Sequence, residues 1–179
     1  MQKTRIFALT ALSLGAASML AYSVDAQFAF GASKIKFPEG FDKGVLYTTV
    51  DRPDNKQYRE LFTSPEAVAA AKKGEPLPSG TVITLVQYKA KLDAQGNPEK
   101  DAKGRFIKGD LIGYAVMEKR TGWGTQYPAE LRNGEWEYSG FKVDRTVNEK
   151  ANLKGCFECH KPLDPKWDFV FSYNKMAGK

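Results

Sequence analysis

Apolar and polar residues alternate with a period of two in several stretches of this chain, and this period is typical of β-strands. The stretches that we predict to be strands are residues 45–50, 80–89, 111–118, 136–141 and 167–174. In the second stretch both faces carry apolar groups, for example Leu85 on one face and Val86 on the other. We therefore expect residues 80–89 to form a central strand of a sheet.

The segments between these strands contain helix and turn signals. Residues 56–62 are predicted to form a short helix. A second helix is predicted to begin after Ser64, a capping residue, with Pro65 at its first position. The Ala-rich run that follows continues to Lys73, and Gly74 ends it.

Glycine and asparagine mark further turns and close contacts. Asn133-Gly134 is the strongest short hairpin signal in the chain. Gly113 is expected where another group approaches its strand closely, and Gly140 is expected at a bulge. Residues 91–108 contain two similar Asp-to-Gly turns, but their acidic residues are too few and wrongly spaced for a calcium loop. We predict an exposed, extended hairpin there.

The N-terminus has the features of a secretory signal peptide. Lys3 and Arg5 supply the positive start, and residues 6–24 carry no charge. Cleavage is expected after Ala26, which leaves residues 27–179 as a single domain and places it in the periplasm. An uncleaved membrane anchor is the alternative, although several Ser, Thr and Gly residues make this run poorly apolar.

Composition narrows the classes of partner. The whole chain of 179 residues has a net charge of +6, and the part after residue 26 has 25 basic and 20 acidic residues. These charges are interspersed, which predicts a solvated surface and no nucleic-acid footprint. Weak docking to an acidic periplasmic redox partner is compatible with this charge.

The sequence Cys156-Phe157-Glu158-Cys159-His160 near the C-terminus is the attachment signature of a c-type haem. Each cysteine sulfur is expected to bond covalently to one former vinyl group, and His160 to bind the iron as an axial ligand. We predict one haem c, held by Cys156 and Cys159. The predicted export agrees with the motif, because this type of attachment takes place outside the cytoplasmic membrane.

Other uses of the two cysteines are less consistent with the chain. A disulfide between Cys156 and Cys159 would close a very short, strained loop, and a thioredoxin-like pair would need a βαβ setting. A zinc site needs about four ligands. The chain has two cysteines and one histidine in total, and all three lie in this motif.

The remaining histidine and methionine content of the chain indicates whether a second side chain could bind the iron. His160 is the only histidine, and Met117 and Met176 are the only thioethers after residue 26. We place Met176 in a polar tail and Met117 in the core, so we expect five-coordinate iron with an open or water-filled site. A lysine ligand remains an alternative. The aromatic residues of stretch 167–174 are either ordinary core or also a wall of the haem site.

The chain resembles the cytochrome P460 family, which includes the β-sheet cytochromes c′. The elements that carry the resemblance are Ser64-Pro65-Glu66-Ala67, Gly80-Thr81-Val82, residues 109–113, Asn133-Gly134-Glu135-Trp136, residues 156–161 and Asp168-Phe169-Val170-Phe171. A late haem motif in a β-rich chain is itself unusual. The resemblance implies an α+β, β-rich fold: a mostly antiparallel sheet, a few short peripheral helices and a C-terminal haem-attachment segment. It also implies a homodimer and iron ligated by histidine on one side only.

Leu85 makes the chain more similar to the cytochrome c′ branch of that family than to the hydroxylamine-oxidising branch. Members that oxidise hydroxylamine resemble one another in a lysine at this position, five residues after the Gly of Gly-Thr-Val, and that lysine is cross-linked to the porphyrin. Leucine cannot form this bond, so the chain looks more like a cytochrome c′ of the β-sheet type, with Leu85 as part of an apolar wall beside the haem. Lys89 is on the same face but roughly 13 Å along the strand.

Three functions follow as hypotheses. The first is binding or detoxification of a small gas such as nitric oxide. The second is an enzyme that oxidises hydroxylamine, which would need a polar residue to move protons. The sequence does not place such a residue; Glu135 and Glu137 are candidates, but both are expected to face solvent. The third is an electron carrier with six-coordinate iron and Met117 as the second ligand. We favour the first.

Overall fold

A computed structural model of the chain describes residues 34–179. The predicted signal peptide, its cleavage site near Ala26 and the start of the predicted domain at residue 27 lie outside this range. Within the described residues, no helix has the length and apolar character that crossing a membrane requires.

Five antiparallel strands form one sheet, in the same order as in the sequence. The strands are β1 (Val45–Arg52), β2 (Gln57–Thr63), β3 (Val82–Ala90), β4 (Lys108–Lys119) and β5 (Trp136–Phe141). The helices are α1 (Pro65–Lys73), α2 (Leu153–His160) and α3 (Tyr173–Met176), with 3₁₀ turns at Phe41–Lys43 and Pro165–Trp167. The α+β, β-rich fold class is confirmed, and β3 is the central strand as predicted.

The two faces of the sheet carry separate cores. One face, which we call the helix face, packs Ile83, Met117, Trp136 and Tyr138 against the three helices. The other, which we call the arm face, packs Val86, Tyr114, Val116 and Phe141 against Ile35 and neighbouring aromatic residues of the N-terminal arm. The apolar residues on both faces of β3 are therefore explained by a sheet that is covered on both sides.

Helix α1 begins and ends where the sequence indicates. The Ser64 side chain accepts a hydrogen bond from the amide of Ala67, and Pro65 occupies the first turn. Gly74 ends the helix in the left-handed conformation, with φ of 76°.

Residues 57–62 of the predicted helix at 56–62 belong to β2, so that prediction is wrong. Tertiary contacts decide this segment: Tyr58 pairs with Tyr88 and Leu61 with Leu85 across the β2–β3 ladder. Its polar residues also have specific partners, since the buried carboxylate of Glu60 lies 2.8 Å from the Lys108 amine. Cross-strand pairing therefore overrides the local helix propensity of this segment.

The predicted strand at 167–174 is also wrong. The segment starts at the last residue of a 3₁₀ turn, continues with two residues of positive φ (Asp168 at 52° and Phe169 at 57°) and ends within α3. Met176, which we placed in a polar tail, is 2% exposed and belongs to the core of the helix face. The C-terminus therefore packs on the sheet without joining it.

The predicted turns and glycine contacts are partly correct. Asn133 accepts a hydrogen bond from the Trp136 amide, but this turn ends a longer connection from β4 and is not a two-residue hairpin. A side chain at Gly113 would lie 2.6 Å from the Phe141 carbonyl oxygen, which confirms the close approach. At Gly140 the β4–β5 pairing is regular, so the expected bulge is absent there; its glycine makes room for Ala151 instead.

Candidate functional site

A cavity of about 1000 Å³ lies between the helix face of the sheet and the C-terminal segment. We call it the central cavity. Strands β1 to β5 and helix α2 contribute to its lining, together with residues 170–172 and Lys175. The Tyr47 hydroxyl of β1 lies 2.8 Å from the Ser172 hydroxyl, which ties the first strand to the C-terminal segment. A cavity of this volume is at the upper end of the usual range for cofactor and ligand sites.

Helix α2 presents the cysteine motif to this cavity. The Asn152 side chain caps the helix by accepting a hydrogen bond of 2.9 Å from the Gly155 amide. Cys156, Cys159 and His160 have the spacing i, i+3 and i+4, which places them on one helix face, and all three line the central cavity.

Phe157 anchors α2 to the core of the helix face. It is fully buried, and its ring centroid lies 4.4 Å from that of Tyr127 and 4.7 Å from that of Tyr138. The buried Asn133 amide donates a hydrogen bond of 3.0 Å to the Phe157 carbonyl. These contacts fix the rotation of the helix, and with it the direction in which the motif faces.

Both cysteines are free thiols in the structure. Burial raises the pKa of Cys156, and the neighbouring Cys159 contributes in the same direction. The Cys156 thiol is therefore held in its neutral form. No disulfide closes the loop between them, so both sulfurs remain available for bonds to another group.

His160 is oriented by a backbone carbonyl. Its Nδ1 atom lies 2.7 Å from the carbonyl oxygen of Phe169, so Nδ1 carries the proton and donates. Burial lowers the pKa of His160, and the hydrogen bond to Phe169 partly opposes this shift. The ring is therefore a neutral imidazole whose Nε2 atom is the one with a free lone pair, which is the form that binds a metal.

The sheet supplies an apolar wall to the cavity. Leu85 is part of this wall, and Leu61, Ile83, Ala115 and Met117 extend it along β3 and over the neighbouring strands. Met117 thus lines the cavity and also belongs to the core. Lys89 is not among the described residues that line the cavity.

Polar side chains also reach the cavity, and sequence analysis missed them. Arg59 and Gln87 line it from β2 and β3. Burial lowers the pKa of the Arg59 guanidinium, and the charge of Arg52 acts in the same direction. Arg59 donates hydrogen bonds to the Gln57 side chain, which is uncharged. The incorrect helix at 56–62 concealed Arg59, because only a strand places it on the same face as Leu61.

Two further arginines stand at the cavity lining with carboxylate partners. Arg105 makes a two-point ion pair with Asp51, with a shortest distance of 2.7 Å, and Arg52 pairs with Asp54 at 2.7 Å. Lys175 is the one lysine among residues 34–179 that lines the cavity. The lining therefore combines an apolar wall with several cationic side chains.

The other predicted site residues lie elsewhere. Of the aromatic residues in stretch 167–174, only Phe171 lines the cavity, and its ring lies 4.9 Å from that of His160. Trp167, Phe169 and Tyr173 pack in the core of the helix face. Glu135 and Glu137 do not line the cavity: Glu135 accepts the Gly122 amide, and Glu137 is buried, not solvent-facing, beside the Tyr127 hydroxyl at 2.6 Å.

The residues present fit a covalently attached haem. Two free thiols and a neutral imidazole project from one helix face into one cavity, and an apolar wall lies on the sheet. Cys156 and Cys159 would hold the porphyrin and His160 the iron. This donor set matches the chemistry of c-type haem sites.

Comparison with known families gives one result. The family model described as Cytochrome P460 matches residues 38–172, which include all five strands and the whole cysteine motif. No curated protein gives a significant match to the chain.

Proposed function

The chain belongs to the cytochrome P460 family and is therefore a haem-containing cytochrome, and we propose that it binds small gases such as nitric oxide at five-coordinate iron. In this proposal Cys156 and Cys159 hold one haem c through thioethers, and His160 is the only protein ligand of the metal. When bound, ferrous haem supplies an open coordination position that takes up diatomic gases.

The observation that carries this proposal is the presence of Leu85 in the wall of the central cavity. An aliphatic side chain there gives neither a cross-link nor a metal ligand. Together with Leu61, Ile83 and Ala115 it forms an apolar wall on the sheet side of the cavity. Such a wall favours small, weakly polar molecules over charged ones, because a charged ligand loses its hydration without compensation.

Absorption spectroscopy tests the proposal. The exported, purified protein is expected to give a haem c spectrum, a high-spin ferrous form, and a clear spectral change when nitric oxide is added. The Cys156→Ala/Cys159→Ala protein is the matched control and is expected to lose covalent haem. A ferrous haem protein without any response to nitric oxide would overturn the gas-binding proposal.

Oxidation of hydroxylamine is the second candidate, and Arg59 and Gln87 are the observation that favours it. Both line the cavity, so polar groups that orient a nitrogenous substrate are present beside the apolar wall. Mass spectrometry of a denatured protease digest separates the two candidates. A peptide that contains Lys175 bonded to haem, as a third attachment, would support the enzyme; haem on the peptide of Cys156 and Cys159 alone supports gas binding.

We also propose that the protein works in the periplasm as a homodimer that exchanges electrons with a redox partner. The N-terminal sequence and the family support this location and assembly. Mass spectrometry of the intact protein is expected to give a chain that begins at Gln27, and light scattering is expected to give twice the mass of that chain. A full-length or monomeric protein would contradict the respective part.

A further inference from the structure

Two consecutive residues after the motif have backbone conformations that side chains usually exclude. Asp168 and Phe169 have φ of 52° and 57°, in the left-handed region, although neither is glycine. Such a conformation is unfavourable for residues with a Cβ atom. The surrounding structure must therefore hold this turn in place.

The side chain of Asp168 is held by a buried ion pair and an amide. The Lys119 amine lies 2.8 and 3.1 Å from the two carboxylate oxygens, and both side chains are about one-tenth exposed. The Leu77 amide donates a further hydrogen bond of 2.9 Å to the same carboxylate. Strand β4 and the segment after α1 thus hold Asp168 from two sides.

The backbone of the turn is held as well. The Trp136 indole, which is fully buried, donates a hydrogen bond of 2.8 Å to the Asp168 carbonyl. The next carbonyl in the chain is that of Phe169, and it accepts the hydrogen bond from Nδ1 of His160. The carbonyl that Trp136 holds and the carbonyl that contacts His160 therefore belong to consecutive residues.

A role in stability alone is a weak explanation for the ion pair. Burying two opposite charges costs about as much in lost hydration as their attraction returns, so apolar residues at these positions stabilise a fold equally well. The geometry offers a more specific role. Groups that orient the second nitrogen of a metal-binding histidine control both its ring orientation and its basicity.

We propose that the buried Lys119–Asp168 ion pair is a positioning device that fixes the Phe169 carbonyl against His160 and thereby sets the donor strength of the axial imidazole. The inference rests on the proposed ligation of iron by His160 but not on the identity of the gas. A firmly held carbonyl draws the Nδ1 proton towards itself and makes Nε2 a stronger donor. A stronger donor stabilises ferric over ferrous iron, so Lys119 and Asp168 are expected to keep the reduction potential low.

The experiment uses two single variants of the holoprotein, Asp168→Asn and Lys119→Met. Each removes one side of the ion pair, and their changes in charge have opposite signs. If the pair acts by holding the turn, both variants shift the ferrous iron–histidine stretching band in the resonance Raman spectrum to lower wavenumber. Both also shift the midpoint potential in the positive direction.

Because the two variants change the charge in opposite directions, the signs of their potential shifts distinguish a positioning role from a direct effect of charge on the iron. Without a positioning role, Asp168→Asn raises the potential and Lys119→Met lowers it, and the iron–histidine band stays in place; this result would overturn the inference. Lys119→Arg keeps the ion pair and is expected to behave as the wild type. Lys166→Met removes the same charge from the exposed pair with Asp164, 2.8 Å apart on the same segment, and is the control for surface charge.

The outcome in the wild type distinguishes failure of the inference from failure of the proposed function. A wild-type protein without haem, or without an iron–histidine band, contradicts the proposed function itself. If Asp168→Asn does not accumulate as a haem protein, Trp136→Phe removes the other support of the turn and is expected to give the same two shifts. An unchanged band and potential in Trp136→Phe would then count against the proposal.

Discussion

Leu85 of β3 lies directly opposite Ala115 of β4 in the strand pairing, and both residues line the central cavity. A large and a small side chain therefore stand side by side in its wall. Replacing Leu85 by Ala should widen the central cavity, and Ala115→Val should narrow it. We expect carbon monoxide to bind several-fold faster to the ferrous Leu85→Ala protein and several-fold more slowly to Ala115→Val, as measured by stopped-flow absorption.

Leu46→Ala is the matched control for this pair of variants. Leu46 is on β1 but is 47% exposed and does not line the cavity. Its binding rate should equal that of the wild type. Equal rates in all four proteins would show that this wall does not limit access of the gas.

The variant Met117→Ala tests whether a second protein side chain binds the iron. Met117 lines the cavity and is nearly buried, so Met117→Ala is expected to lower the free energy of unfolding by about 2–5 kcal/mol. If the iron is five-coordinate, the high-spin absorption spectrum remains the same. Met176→Ala removes a second buried methionine, which is not part of the cavity lining, and should give a loss of stability in the same range. A change from low-spin to high-spin bands in Met117→Ala alone would identify an electron carrier.

Asn152 connects the capping of α2 with attachment of haem. Its side chain accepts the Gly155 amide and lines the cavity beside the motif. Asn152→Ala should lower the free energy of unfolding by about 1 kcal/mol, the usual value for loss of an N-cap. Because it loosens the first turn of α2, it should also lower the fraction of purified protein with covalent haem, as read from intact mass.

Ser64→Ala is the control, since it removes the N-cap of α1. Its loss of stability should be similar, whereas haem attachment should be complete. The interpretation of Asn152 is wrong if both variants lose haem to the same extent.

The ion pair between Asp51 and Arg105 is expected to make the free energy of unfolding depend on pH in acid. Burial acts to raise the pKa of Asp51, but the hydrogen bonds from Arg105 and the Phe106 amide, with nearby positive charge, lower it overall. A carboxyl whose pKa is lower in the folded state stabilises the fold above its unfolded pKa, about 3.9, and loses this contribution as the pH falls through its folded pKa. Urea unfolding between pH 6 and 3 should show this loss.

The variant Asp51→Asn should make the free energy of unfolding less dependent on pH in that interval, because it removes the titrating group. Asp110→Asn, at an exposed position of β4, is the control for the same change of charge. A pH dependence in Asp51→Asn as steep as that of the wild type would assign the acid response to other carboxyls.

Local signals in the sequence predict those elements whose ends depend on their own residues. Ser64, Pro65 and Gly74 define α1, because a cap, a fixed φ and a left-handed stop act within one turn of chain. The alternation in residues 80–89 predicts β3 and the face that carries Leu85. The cysteine spacing likewise places Cys156, Cys159 and His160 on one side of α2 without any tertiary information.

The sequence fails to predict elements that depend on distant partners. Arg59 and Glu60 suit a helix locally, but pairing with β3 places Arg59 at the cavity, and Lys108 compensates the buried charge of Glu60. The alternating aromatic residues after Pro165 suit a strand, yet the ion pair of Asp168 with Lys119 holds a turn in which no strand continues. Side chains far apart in sequence decide both cases.

The order of the strands has a consequence for biogenesis. Each strand pairs with its immediate successor, so the sheet is a simple meander without crossover connections. Local connectivity of this kind favours rapid folding. The meander is therefore expected to assemble while α2, which follows all five strands in the chain, is still undocked and accessible to the haem-attachment machinery. The attached haem would then link this late segment to the folded sheet.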